Sequence, residues 1–161
     1  MTMDIIKPAG DPQIGNLATP INSSEFTKAL INNLPAYRPG LSAQRRGLEI
    51  GMAHGYLLYG PFALTSQFRN TSYGPVVGLI EAIILVVILT LCLSLYGGVG
   101  VKKPIATVTN PNPPAALGTS EGWSEFAGMF LVGGIGGAAF AYVIFAIFNS
   151  GVLQTFGDIL S

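Results

Sequence analysis

Val76-Val-Gly-Leu-Ile-Glu-Ala-Ile-Ile-Leu-Val-Val-Ile-Leu-Thr-Leu-Cys-Leu-Ser-Leu-Tyr96 carries one charge, Glu81, in an otherwise apolar run. About 20 apolar residues cross the hydrocarbon core of a bilayer as a helix, so this run predicts a membrane span over 76–96. Moving toward the C-terminus, Phe126–Phe148 reads FAGMFLVGGIGGAAFAYVIFAIF, with no charge at all, and predicts a second span over 126–148. Moving toward the N-terminus, Leu48–Phe68 is weaker because it contains Glu49, His54 and Pro61. It still reads as a span if a ligand or neighbouring protein satisfies those groups; a core helix of a soluble protein is the alternative for this segment alone.

Charge distribution favours three crossings. With an odd number, the N-terminal arm shares a side with the loop after span 76–96, and that side holds Lys7, Lys28, Arg38, Arg45, Arg46, Lys102 and Lys103. Only Arg69 stands on the other side. Positively charged residues concentrate on the cytoplasmic side, so the N-terminus is expected there and the C-terminus across the membrane. The expected fold is an all-α membrane protein, a single domain over 1–161. Its cytoplasmic arm, 1–46, carries a short interfacial helix and precedes three transmembrane helices at about 48–68, 76–96 and 126–148.

Composition agrees. Half the 161 residues are hydrophobic, a tenth are charged and the net charge is zero; that leaves too little charge to cover a soluble globule, and no basic patch for nucleic acid. The lone Cys92 has no disulfide partner. Residues 1–10 lack both the apolar core of a secretory signal and the character of an organelle transit peptide. In the arm, Asn22 followed by Glu25 fits a capping box that opens a short helix. Phe26, Leu30, Ile31 and Leu34 share its apolar face, and Pro35 ends it. That face lies on the membrane, on a partner or on the chain's own body. The Asn110-Pro-Asn-Pro-Pro-Ala115 loop is stiff, a contact arm or, as preferred, a spacer. Gly133, Gly137 and Ala141 make a small-residue stripe for close helix contact, and Trp123 fits an interfacial anchor.

Candidate chemistry sits in Gly47-Leu-Glu-Ile-Gly-Met-Ala-His-Gly-Tyr56. Ionisable side chains at membrane depth are functional candidates by default. Gly47, Gly51 and Gly55 recur every four residues and so leave a flat strip, which suits the approach of a large planar metallo-macrocycle. Glu49 and His54 are five residues apart, about 140° round the helix and about 7.5 Å along it. That is poor geometry for one ion but suits two separate axial ligands, a ring nitrogen and a carboxylate oxygen, with Arg45 or Arg46 to compensate the carboxylate. The alternatives stay open: Glu49 pairs with Arg45 or Arg46, and His54 is a hydrogen-bonding residue of a helix interface. Glu81 could ligate, donate to a partner or reach headgroups, a structural role coming first. There is no second histidine, cysteine pair, phosphate-binding loop or activated serine, so no enzyme is expected. A small oligomeric channel or transporter subunit is the alternative function, and a haem carrier a weaker one.

The chain also resembles a known family. The carrying stretches are Asp11-Pro-Gln-Ile-Gly-Asn-Leu-Ala-Thr-Pro20, Asn33-Leu-Pro-Ala-Tyr-Arg-Pro-Gly-Leu41, Arg46-Gly-Leu-Glu-Ile-Gly-Met-Ala-His-Gly-Tyr56 and Thr119-Ser-Glu-Gly-Trp-Ser-Glu-Phe126. Their order and spacing are similar to the PsaL family, cyanobacterial photosystem I reaction-centre subunit XI. The resemblance implies an accessory subunit of the thylakoid membrane with three transmembrane helices, a cytoplasmic N-terminus and a lumenal C-terminus. It implies binding of antenna chlorophyll (chlorophyll a, or a far-red variant) and carotenoid (beta-carotene). Glu49 and His54 match the family's axial ligands of chlorophyll magnesium. The implied partners are the large reaction-centre subunits, neighbouring small subunits, membrane lipid and other copies of the chain at the oligomer axis. Family members commonly read Gly-Pro-Leu-Arg-Asp after the first span, the aspartate being implicated in a calcium site. Here Ser66-Gln-Phe-Arg-Asn70 ends in an amide, a weaker calcium ligand, so no calcium is expected at Asn70. A trimer is the family's common assembly, although the Asn110–Pro114 loop resembles members from dimeric and tetrameric photosystems. Divergence over Asn70–Glu81 resembles copies expressed in far-red light.

Overall fold

The computed structural model describes residues 6–10 and 15–151. The reading of the N-terminus as free of a targeting segment, the start of the Asp11–Pro20 stretch and the placement of the C-terminus fall wholly or partly on residues outside those described.

In chain order the elements are β1 (Lys7–Pro8), β2 (Leu17–Ala18), α1 (Glu25–Asn33), α2 (Ala43–Thr65), α3 (Gly74–Gly98), a 3₁₀ turn (Ala115–Gly118) and α4 (Ser120–Asn149). Strands β1 and β2 pair antiparallel, Lys7 opposite Ala18 and Pro8 opposite Leu17. The cap of α1 differs from expectation. Ser24, not Asn22, is the N-cap, its hydroxyl accepting from the Thr27 N–H at 3.2 Å. Asn22 is engaged elsewhere: its side-chain oxygen accepts from the Thr19 N–H and its amide donates to the Leu17 carbonyl, each at 2.8 Å. That closes a turn and leaves the orphan amides of α1 to the serine beside them. Glu25 occupies the first helical turn and pairs with Lys28 at 3.0 Å. No residue of α1 is fully buried: Phe26 is 77% exposed and Leu30 is exposed too, while Ile31 is half-buried beside Tyr37 and Pro104, so most of the apolar face stays open.

Two helices, α3 and α4, are long and apolar enough to cross a membrane, with mean hydropathy 3.0 and 2.1 over their most apolar windows. Only 17% of that window in α3 is buried, so its apolar surface faces outward. α2 starts earlier than expected, at Ala43 behind the Ser42 cap, and ends at Thr65. The hydroxyl of Ser42 accepts from the Arg45 N–H at 3.2 Å. α4 likewise starts at Ser120, where Thr119 caps by accepting from the Gly122 N–H at 3.0 Å. Trp123 therefore lies in the first turn of the helix. Its indole donates to the Leu117 carbonyl at 2.7 Å and its ring meets Tyr96 edge-on at 4.8 Å, so the chain itself satisfies it.

The expected strip for a macrocycle on Gly47, Gly51 and Gly55 is filled by α4. A Cβ on these glycines would lie 2.1, 2.2 and 1.9 Å from the carbonyl oxygens of Phe126, Phe130 and Gly134. Gly133 and Gly137 return the contact, their Cβ positions 2.2 and 2.1 Å from the Leu48 and Met52 oxygens. Two small-residue stripes thus let the backbones of α2 and α4 meet without intervening side chains. Both series rise together, so the helices run parallel and nearly in register. α3 runs the opposite way: its Gly78 sits against Ala63, and its Val86 against Gly134 of α4. Beyond the glycines, Tyr59, Ala63 and Ala141 form one buried cluster, and Val86, Phe126 and Phe130 another.

The segment after α3 folds back over the arm. The Asn32 amide donates to the Thr109 carbonyl at 2.7 Å, and the Thr109 hydroxyl to the Asn22 carbonyl at 2.9 Å. The approach to the proline-rich loop is thereby anchored to α1.

Candidate functional site

The two predicted ligands project from one helix into different surroundings. His54 is exposed and lines a groove of about 320 Å³ with Ile50, Leu89, Cys92, Phe126 and Phe130. Its ring meets Phe130 edge-on at 5.4 Å. Nδ1 lies 2.8 Å from the carbonyl oxygen of Ile50, one turn back. A carbonyl can only accept, so Nδ1 carries the proton, and in the neutral ring Nε2 is left with its lone pair. Among the described residues Nε2 has no hydrogen-bond partner. Such a second hydrogen bond is what fixes the tautomer and orientation of a metal-binding histidine. The donor set therefore fits an axial bond to a magnesium centre, and the apolar walls fit the body of a macrocycle.

Glu49 does pair with an arginine, but not with Arg45 or Arg46. Nη2 of Arg38 lies 2.5 and 2.6 Å from its two carboxylate oxygens. The Pro39–Gly40 bend brings Arg38 back against α2, Gly40 taking φ +78°, a conformation glycine adopts without steric penalty. Arg46 turns away and donates to the Pro35 carbonyl at 2.9 Å. It is 3% exposed; burial, and then the nearby Arg38 guanidinium, lower its pKa from the ordinary value. Arg45 is exposed on the first turn of α2. The expected compensation of Glu49 thus comes from an arginine eleven residues upstream, which helix spacing could not reveal; the Pro-Gly bend was its one sequence signal. An ionised carboxylate has about four acceptor positions, so the Arg38 pair leaves Glu49 able to accept a second partner. Both side chains remain about one-third exposed, at 36% and 37%.

Glu81 lies apart, against the end of α2. Its Oε1 accepts a long bond from the Ser66 hydroxyl at 3.4 Å, while Oε2 is buried without a partner. Asn70 sits on the exposed turn between α2 and α3. Among the described residues no three His, Cys, Asp or Glu side chains gather as a metal cluster.

With this geometry in view, comparison with known proteins is specific. The model of the PsaL family, photosystem I reaction centre subunit XI, matches residues 4–150. Proteins named photosystem I reaction center subunit XI are similar over most of their length. One from Picosynechococcus is 67% identical over 140 residues, covering 87% of this chain and 92% of the relative. One from Crocosphaera subtropica is 61% identical over 142 residues, covering 88% and 91%. One from Synechococcus elongatus is 59% identical over 146 residues, covering 89% and 88%. A family match over residues 4–150, from the arm to the end of α4, together with relatives 59–67% identical over most of their length, places the chain in the PsaL family, photosystem I reaction centre subunit XI.

Proposed function

We propose that this photosystem I subunit is a pigment-bearing accessory protein that crosses the thylakoid membrane three times and joins photosystem I monomers into oligomers. The observation that carries the pigment reading is the His54 ring: Nδ1 is engaged by the Ile50 carbonyl, and Nε2 is free beside an apolar groove. His54 would supply one axial bond to chlorophyll magnesium, and Glu49 an axial oxygen to a second chlorophyll. Bound chlorophyll absorbs light and passes excitation on. The chain's own residues orient and insulate: Ile50 holds the imidazole, Phe130 meets its edge, and Arg38 offsets the Glu49 charge. Carotenoid such as beta-carotene would lie along the outward apolar grooves.

Three crossings are supported by the parallel course of α2 beside α4. A helix in backbone contact with a candidate span from Gly47 to Gly55 shares its depth. The basic residues of the arm and of the segment after α3 support an arm on the cytoplasmic side and a C-terminus in the lumen. A channel finds less support. Among the described residues the buried polar and charged residues are Arg46, Ser66 and Asn110, near helix ends or in a loop; Glu81 adds one buried oxygen and Tyr59 a buried hydroxyl, and backbone contact closes the seam between α2 and α4.

Association of copies would use larger side chains than expected. Gly133 and Gly137 already face α2, so the stripe they form is unavailable to a neighbour. Leu91 and Leu95 remain exposed on α3. Deleting the chain should yield photosystem I monomers that retain light-driven charge separation, read by native gel and flash-induced absorbance. Oligomers that persist, or monomers without charge separation, would overturn this reading.

A further inference from the structure

The groove at Glu81 has a built-in polarity. Glu81, Ser66 and Thr65 stand at one end, where α2 finishes and α3 begins, and Ile84, Leu85 and Ile88 line the other. From Glu81 to Ile88 the groove runs about 10 Å along α3 toward its middle. Its polar end is short of donors. The Ser66 hydroxyl gives its proton to Glu81, and the Thr65 hydroxyl gives its own to the Pro61 carbonyl at 2.7 Å. Arg69, the nearest basic residue in sequence, donates to the Ser66 carbonyl at 3.2 Å. What remains is acceptor capacity: Glu81 Oε1 with one weak bond, Oε2 buried behind it without a partner, and the Thr65 hydroxyl lone pairs, the Ser66 hydroxyl already accepting from the Phe68 N–H at 3.3 Å.

We infer that this groove binds a neutral glycolipid, its hydroxyl-bearing headgroup donating to Glu81 and its acyl chain lying along Ile84, Leu85 and Ile88. An acceptor-rich end selects a headgroup with several O–H donors, and the carboxylate repels a phosphate or sulfate headgroup. A buried carboxylate oxygen without a partner is costly, and among the described residues the Ser66 hydroxyl is the one group that donates to this carboxylate. Three polar atoms gathered at one end are more than a single axial bond to a pigment metal would use. The inference rests on the membrane placement proposed above and not on the pigment ligands.

The test uses intact photosystem I from cells carrying the unaltered chain, Glu81→Leu or Ile84→Trp, with hexosyl diacylglycerols counted by mass spectrometry and chlorophyll by extraction. Each variant should contain one hexosyl diacylglycerol fewer per copy of the chain, with chlorophyll unchanged. Ile84→Trp obstructs the groove while leaving the carboxylate in place, so it decides the matter if Glu81→Leu fails to assemble. After delipidation, added monohexosyl diacylglycerol should restore the lost lipid to the unaltered complex, and phosphatidylglycerol should not. An unchanged lipid count in the variants that assemble, loss of a chlorophyll in its place, or equal recovery with phosphatidylglycerol would overturn the proposal. Failure of the His54 and Glu49 reading would appear instead as unchanged chlorophyll in variants of those residues.

Discussion

Two faces of α2 use the same ten-residue stretch in opposite ways. On one, Gly47, Gly51 and Gly55 are buried against α4 so closely that a single added carbon would overlap backbone oxygen. On the other, His54 is exposed, with one ring nitrogen held by its own helix and the other without a partner. The first face is closed within the chain; the second is open. In sequence the glycines look like part of the site, because they alternate with its residues. In the fold they serve a different task, which is to set the helix spacing that holds the opposite face in position.

The largest expected effect comes from breaking the closed face. Gly51→Leu should stop α2 from docking on α4, since the nearest atoms are main chain and cannot rotate aside. Overpacking of this kind costs about 1–3 kcal/mol even where side chains can yield. The subunit should therefore be missing from assembled photosystem I on immunoblot; normal accumulation would mean the seam is looser than described. On the open face, His54→Leu should leave assembly intact and remove one chlorophyll per copy, read by pigment extraction against protein. Retention of all pigment would return His54 to an ordinary interface residue.

Glu49 sharpens the contrast, because it belongs to the open face yet already has a partner. Glu49→Ala should lose a chlorophyll that Arg38→Ala retains. On heat-induced release of the chain from the complex, the two changes should cost about the same, about 0.2–1 kcal/mol, as ion pairs open to solvent do. Equal pigment content in both variants would leave Glu49 with the ion pair alone. The smallest effect is expected at Gly60, where an added Cβ meets nothing within 4 Å. Gly60→Ala should shift stability by no more than about 1 kcal/mol, through helix propensity alone. A loss comparable to that of Gly51→Leu would erase the distinction between the faces.

Much of this was legible from residue order. The apolar runs at Val76–Tyr96 and Phe126–Phe148 exceed what any soluble surface tolerates, and they became α3 and α4. Helix α2 was recognisable despite its polar residues, although its start was placed late. Its polar opening, Ala43-Gln-Arg-Arg46, resembles arm sequence, while the hydroxyl of Ser42 caps it as a helix. Asn22 illustrates the converse: a capping side chain is defined by what it bonds, and this one bonds Thr19 and Leu17.

Hydrophobic length and charge asymmetry are properties of residue order, so the sequence by itself determined that this is a helical chain with at least two membrane-length segments. Spacing along α2 also made a single ion shared by Glu49 and His54 poor geometry. Which neighbour occupies each helix face depends on residues far apart in the chain, and only the tertiary structure decided it. Gly51 meets Phe130, Glu49 meets Arg38 across a Pro-Gly bend, and the free nitrogen of His54 is defined by a carbonyl that helix geometry brings beneath it. A glycine stripe records that something approaches closely without recording what; the partner here is backbone, because α4 brings a matching stripe to the same depth.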